Sequence, residues 1–526
     1  MRIVDVLVKL SNYFPEINIE SKELDVLKYI KPEAVAKKYL SVSLFLSALF
    51  SILILLLKFD FNLYGFGVTL ILFAVFVFTL IKLPSFEYSL TIHRMESELP
   101  IVLRTLSLLL DMNLPFQKAI KIASEESGEL NKELKTIVAD VEKGASLQKR
   151  LSAFSSNIKS LTIKRAINQI IIVYQIGTGA QDLKKLADEL LSIQRFKLRE
   201  YSSRVAIFGL IFIALSTILP TLFIVTTILG KGIFESEFNK EQITIIFLLV
   251  LPVLATSVVL VAKSTLPNII FENRGKFNYA PMLAAFILVA AVLVLEEPLN
   301  KIFIAITYII LFFIFILDYK KQKRIADIEE QIPDALMTAS AIPKGVKLDR
   351  IFEMWQDKRY GELALESKVA KKQLEANIKP EKVLFSLSER THSQILKRVC
   401  SFIALAINTN TIDKLNYVAD DILKFREIDR ERNNTLATQK YTLIFSSLLM
   451  PLIIKSTIGL AYSMQELSKT AIDFNIFYTI MPAYIILYAL LTSYFISELE
   501  GKKHNVIIYF IATSMLAAVT FYFINI

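Results

Sequence analysis

Two short stretches, Glu96-Ser-Glu-Leu-Pro100 and Glu329-Glu-Gln-Ile-Pro333, hold matching places in this chain. Each follows a pair of long apolar runs and opens a polar segment of more than a hundred residues. Each polar segment ends in another pair of apolar runs. A sequence written twice in this way builds one architectural unit twice, which constrains the fold more than any local motif. The match continues downstream. Leu110-Asp-Met-Asn113 answers Ile342-Pro-Lys-Gly345, and Asn and Gly are the residues that most readily turn left-handed after a helix end. Both places read as a helix stop with a turn into a second helix. Farther on, residues 183–190 align with 415–422.

The apolar runs set the class. Of 526 residues 54% are hydrophobic, and runs of about 18 or more apolar residues mark membrane spans. About nine are expected: 40–57, 63–83, 205–230, 243–262, 279–295, 301–317, 441–462, 476–496 and 505–526. The chain then divides into an amphipathic arm (1–38), membrane helices 1–2 (39–84), a polar bundle (85–204), membrane helices 3–6 (205–317), a second polar bundle (318–440) and membrane helices 7–9 (441–526). The arm is charged, so no cleavable signal peptide is expected. Four spans separate equivalent points of the halves. An even number sets them the same way up, as parallel repeats about an axis along the membrane normal.

Basic residues give the orientation. With both polar segments in the cytosol, the outer connections carry only Lys58, Lys231, Lys240, Lys301 and Lys469. Nearly all other Lys and Arg lie inside, including Lys263, Arg274, Lys276, Lys502 and Lys503. The expected placement is a multi-pass protein of the cell membrane, amino terminus inside and carboxyl terminus outside.

Both polar segments read as all-helical. Leu99, Val102, Leu103, Leu106, Leu109 and Leu110 follow helical spacing, as do Leu130, Leu134, Ile137, Val138 and Val141. Gly144 breaks the chain, with Ser146 as the expected cap of a helix from Leu147. Helices are expected over 161–176 and from Ala180, the latter running unbroken into the third span because no Gly or Pro interrupts 182–206. Pro115 and Pro380 sit where a helix begins. Pro220, Pro252, Pro451 and Pro482 lie within spans and should kink them.

Little in the sequence suggests chemistry. No phosphate-binding loop of the G-x-x-x-x-G-K-[ST] type is present, and Gly177-Thr-Gly179 reads as a turn between helices. His93, His392 and His504 are scattered, so no metal site is expected. Cys400, the single cysteine, lies in an apolar helix stripe, and Trp355 reads as packing. Lys455 stands alone within a span and reads as a side chain reaching for a headgroup or a neighbouring helix. No catalytic group, cofactor or metal is expected, and the protein is not read as an enzyme. Two clusters are basic: Lys132, Lys135, Lys143, Lys149 and Arg150 in the first polar segment, and Lys368, Lys371, Lys372, Lys379 and Lys382 in the second. They fit either a solvated face near anionic lipid or a docking surface for an acidic protein. Aromatic interleaving is missing, so nucleic acid is set aside.

These residues together resemble the polytopic platform protein of type II secretion and type IV pilus machines. The resemblance is carried by Glu96, Leu99, Pro100, Asn113, Gly144, Leu147 and Gly179 in the first half, and by Glu329, Ile332, Pro333 and Gly345 in the second. It covers about 85–265 and 318–500. Asn113 departs from the family's usual Gly, and the second half has Asn377 and Thr411 where the first has Gly144 and Gly179. The span number and the long amino-terminal pair look like the archaeal branch, which serves archaella and adhesion pili. The resemblance implies a non-enzymatic hub, seated on a hexameric cytosolic secretion ATPase, that gathers pilin-like subunits from the membrane; a homodimer is expected of a hub that must meet a hexamer. The motif residues are carried over as fold markers, and the basic clusters as candidate ATPase contacts. A secondary transporter or channel of parallel repeats is the alternative. Transporters need polar groups at the midplane, which this sequence almost lacks.

Overall fold

The computed structural model describes residues 42–45, 47–48, 63–126, 128–177, 179–233, 240–265, 280–295, 299–343, 345, 347–468 and 475–523. The arm at 1–38, the turn at 58–62, most of the first expected span and the connection at 234–239 lie outside the described residues. Among the described residues every regular element is a helix.

The chain falls into two compact units, residues 1–106 with 116–188, and 107–115 with 189–526. The first unit is built on α1 (Leu63–Asp111), followed by α2 (Phe116–Ser124), α3 (Glu129–Glu142), α4 (Leu147–Asn157), α5 (Leu161–Ile176) and the start of α6 (Ala180–Ile213). The helical stripe expected on α1 is the buried one: Leu99, Leu103 and Leu106 are wholly shielded from solvent. Leu130 and Leu134 of α3, Leu151 of α4 and Ile163, Ile167 and Ile170 of α5 are buried with them. Each such side chain contributes about 1.5–3 kcal/mol. Leu110, Val138 and Val141, expected on the same stripes, are only half-buried because they lie where each stripe turns toward the helix edge.

The second unit holds α7 (Leu219–Ile233), α8 (Lys240–Ile245), α9 (Leu251–Thr265), α10 (Ala280–Val294) and α11 (Leu299–Ser340). After them come α12 (Leu348–Trp355), α13 (Gly361–Glu375), α14 (Pro380–Thr391), α15 (Gln394–Asn408), α16 (Leu415–Ser468), α17 (Asn475–Glu500) and α18 (Val506–Phe523). Among the described residues five stretches are long and apolar enough to cross a membrane: Ala180–Thr227, Lys240–Lys263, Leu299–Ser340, Ile412–Leu460 and Ile476–Glu500. They overlap five of the expected spans, and two of those, 205–230 and 441–462, run two or three residues past the stretch. Those expected at 279–295 and 505–526 meet the shorter apolar helices Ala280–Val294 and Val506–Phe521, and the one at 63–83 lies in the first half of α1.

Span-forming helices pack on one aromatic-rich cluster that includes Phe212, Phe247, Phe477, Tyr484, Tyr488 and Phe495. A smaller cluster sets Ala284 and Ala285 of α10 against Ala489 of α17, where small side chains let backbones approach. The four span prolines behave in two ways. Just before Pro220 and Pro252 the helix widens into a π turn, at Ala214–Ile218 and Ile246–Val250. At Pro451 and Pro482 the α-helix runs on.

Candidate functional site

Sequence reasoning treated Glu96 and Glu329 as fold markers. Each holds a joint. The Ser160 hydroxyl donates to the Glu96 carboxylate at 2.6 Å, and the Ser393 hydroxyl donates to the Glu329 carboxylate at 2.6 Å. The chain separation is 64 residues in both cases. Each serine is also an N-cap: its oxygen accepts from the amide of Ile163 at 3.2 Å or of Leu396 at 3.1 Å. One hydroxyl thus caps a helix start with its lone pair and fastens it to the motif glutamate with its proton. Helix N-termini carry partial positive charge, so the carboxylate placed behind the cap adds attraction. Ser160 and Ser393 were missed in the sequence; both precede a helix in the position of a capping residue, which is the signal that could have found them.

The proline of the motif has a separate role. Pro333 lies inside α11 and has no N–H for the Glu329 carbonyl four residues back. Arg426 of α16 donates instead, to the carbonyl of Glu329 and, at 3.0 Å, to that of Glu330. Motif side chain and motif backbone therefore grip different helices. In the first half Glu98 adds a further contact. Its carboxylate accepts from the amides of Glu129 at 3.0 Å and Leu130 at 2.8 Å, capping α3 from outside. A Cβ on Gly128 would collide with that carboxylate, so the glycine is required by close approach.

The expected helix stops are observed. Asn113 and Gly345 both take positive φ, 60° and 86°. Gly144 has φ 99° and its counterpart Asn377 has φ 59°. At the next turn Gly177, φ 75°, answers Asn410, φ 56°; Gly179 also takes positive φ, 121°, whereas Thr411, set against it in the sequence, has φ −119°. Ser146 stands at the N-cap of α4, but its side chain makes no capping hydrogen bond. The turn is closed by backbone bonds from Gly144 to Val141 and from Ala145 to Asp140, which is why it needs no hydroxyl.

Some residues of the two basic clusters are paired with acids. Lys132 pairs with Glu129 at 3.2 Å, Arg150 with Asp140, and Lys371 with Glu353 at 3.8 Å. Lys135, Lys143, Lys149, Lys368, Lys372, Lys379 and Lys382 are exposed, Lys368 and Lys372 one turn apart on α13. Cys400 is buried, and burial pushes its thiol up to about 12. Trp355 is buried, its indole N–H donating to the Ala335 carbonyl at 2.8 Å. His93 lies 3.7 Å from Glu96, His392 ends α14, and His504 sits in the turn before α18. Among the described residues no group of three or more His, Cys, Asp or Glu could hold a metal ion.

The cations of the span helices have structural partners. Lys455 reaches a neighbouring helix, donating to the Phe521 carbonyl in the last turn of α18 at 2.8 Å. Arg432, buried, donates to the carbonyls of Glu498 and Leu499 at the end of α17. A Cβ on Gly501 would run into that guanidinium. Both cations sit where a helix presents unpaired carbonyls and partial negative charge. Lys263 donates to Glu498 at 2.6 Å and to Tyr494 at 2.9 Å. Sequence reasoning ended the eighth span before Glu498 and so overlooked this cluster.

A ladder joins α6 to α16. Arg195 meets Glu427 at 2.8 Å, Arg199 meets Glu431 at 2.7 Å, and the Ser202 hydroxyl donates to the Thr435 carbonyl at 3.1 Å. The rungs climb both helices in the same direction, so the two run parallel. Their separations of 232 to 233 residues lie within one residue of the offset between Glu96 and Glu329.

Compared with known proteins, residues 102–227 match the family of type II secretion system (T2SS) protein F. Neither a curated protein nor a solved structure matches the chain. The matched stretch takes in α2 to α5, the bundle part of α6 and the span that continues it. The chain thus carries a type II secretion system protein F domain at residues 102–227.

Proposed function

We propose that this protein is the integral membrane platform of an archaeal type IV pilus-like assembly machine, building an archaellum or an adhesion pilus. The observation that carries the reading is the protein F domain itself, which runs from a polar helical bundle into a span-length helix without interruption. The glutamate–serine joint, found at one spacing in both halves, supports reading 318–440 as a second copy of 85–204. The parallel ladder supports halves set the same way up.

In this reading both bundles face the cytosol and engage a hexameric secretion ATPase. The membrane helices collect pilin-like subunits, and the chain catalyses no reaction. It works as a homodimer, amino terminus inside and carboxyl terminus outside. Mixing the purified full-length protein in lipid nanodiscs with the secretion ATPase of the same organism tests this. Co-elution on a sizing column, together with loss of filaments from cells lacking the platform, is expected. No complex, or filaments that persist without the protein, sinks the reading.

A further inference from the structure

The helices α6–α7 and α8–α9 form one antiparallel hairpin with a π turn in each arm. Each π turn is followed at once by Leu-Pro: Leu219-Pro220 and Leu251-Pro252. The extra residue of each π turn moves the next amide bond to an i−5 carbonyl, Leu219 to Ala214 and Leu251 to Ile246. That widening makes room for a proline ring that would clash in a regular α-helix, and such turns are common sites of bending.

Below the π turns the hairpin's base is tied by polar contacts. Arg199 pairs with Glu431, the Tyr201 hydroxyl donates to the Ala262 carbonyl at 3.1 Å, Ser202 bonds Thr435, and Lys263 pairs with Glu498. At the level of the second π turn Phe247 packs edge-on against Phe477 at 6.5 Å and Tyr484 at 5.6 Å, and Phe223 of the tip packs edge-on against Phe247 at 5.7 Å. Edge contacts between rings tolerate sliding, whereas a charge-assisted hydrogen bond is lost within about an ångström of movement. At the boundary the Tyr484 hydroxyl donates to the Ser216 carbonyl at 2.8 Å, the acceptor for which Pro220 has no N–H.

We propose that the two π turns are a paired hinge, about which the outer arms of this hairpin (219–233 and 240–245) tilt against its tied base, with the Tyr484–Ser216 bond as the catch. The corresponding helices of the second half, α16 and α17, pass Pro451 and Pro482 as unbroken α-helix with no π turn. The device is therefore one-sided: one hairpin bends while its counterpart is the fixed wall.

Spin labels at Lys240→Cys and Tyr478→Cys, in the full-length protein in nanodiscs with Cys400→Ala as background, report the tip against α17. Pulsed electron spin resonance is expected to resolve two distances. Pro220→Ala with Pro252→Ala restores regular helix and should lower the longer-distance population by roughly threefold or more, while Tyr484→Phe releases the catch and should raise it by a similar factor. One narrow distance in the parent protein overturns the hinge, as does a two-distance pattern that neither change moves. Should the double proline variant not fold, Tyr484→Phe decides alone: a raised longer-distance population supports the hinge and an unchanged one rejects it.

Discussion

The two polar bundles solve one construction problem with different parts. Each fastens a helix start to a motif glutamate through a capping serine, Ser160 to Glu96 and Ser393 to Glu329. Around that joint they diverge. The first bundle adds the Glu98 carboxylate over the amides of α3, whereas the second has Arg426 on the backbone beside Pro333. The second also holds buried Glu366 between Arg324 at 2.7 Å and Arg390 at 2.9 Å. The hydroxyl–carboxylate joint is thus the invariant part of the design, and the way each proline-opened helix is completed is free to vary.

Cys400 allows the bundles to be opened separately. It is the chain's single cysteine, it lies in the second bundle, and its raised thiol pKa leaves little thiolate at pH 8. Alkylation therefore proceeds from the opened state, at a rate set by the opening equilibrium. Leu103→Ala empties the core of the first bundle and should cost about 3 kcal/mol. If the bundles open independently, it leaves Cys400 labelling at the parent rate. Arg426→Met removes the donor to the Glu329 and Glu330 carbonyls and should cost about 2 kcal/mol, raising Cys400 labelling roughly thirtyfold. Faster labelling in Leu103→Ala would break the comparison by showing that the bundles open as one.

The joints come next in size. Ser160→Ala and Ser393→Ala should each cost about 1 kcal/mol by loss of a helix cap. Combined with Glu96→Gln or Glu329→Gln in a double-mutant cycle, each pair should couple by about 0.5–1 kcal/mol in denaturant unfolding. Coupling in one bundle and none in the other would mean that the shared geometry conceals unequal energetics.

Much of this fold was legible because it rests on periodicity and composition. The helix at 161–176 and the unbroken start at Ala180 followed from apolar spacing and from the absence of breakers. Contacts between distant residues were not legible in the same way. Nothing local to Ser160 or Arg426 names its partner, since the pairing depends on how helices are laid together. Proline positions were plain to read, but their consequence was not. Whether a helix widens, as before Pro220, or runs on, as through Pro451, depends on what its neighbours offer the orphaned carbonyl. The reach of Lys455 to another helix is one of the two readings the sequence left open, whereas its acceptor, the terminal carbonyl at Phe521, had no signature in the sequence.

The smallest effects test the comparison most finely, at the left-handed turns. Gly177 and Asn410 occupy the same turn with φ of 75° and 56°, both within reach of asparagine. Gly177→Asn and Asn410→Gly should each change stability by less than about 0.5 kcal/mol, because either residue meets the backbone requirement. Valine at either place should cost about 1–2 kcal/mol, since a β-branched side chain is strained at positive φ. Gly144 and Asn377 should not be interchangeable to the same degree. With φ 99° Gly144 lies beyond the region where asparagine is comfortable, whereas Asn377 at 59° lies inside it. Gly144→Asn should therefore destabilise by about 1 kcal/mol and Asn377→Gly by a few tenths, measured by thermal unfolding in one detergent. Equal costs for the two exchanges would mean that the first bundle relaxes its turn toward the geometry of the second, and that the difference between them lies in the side chains alone.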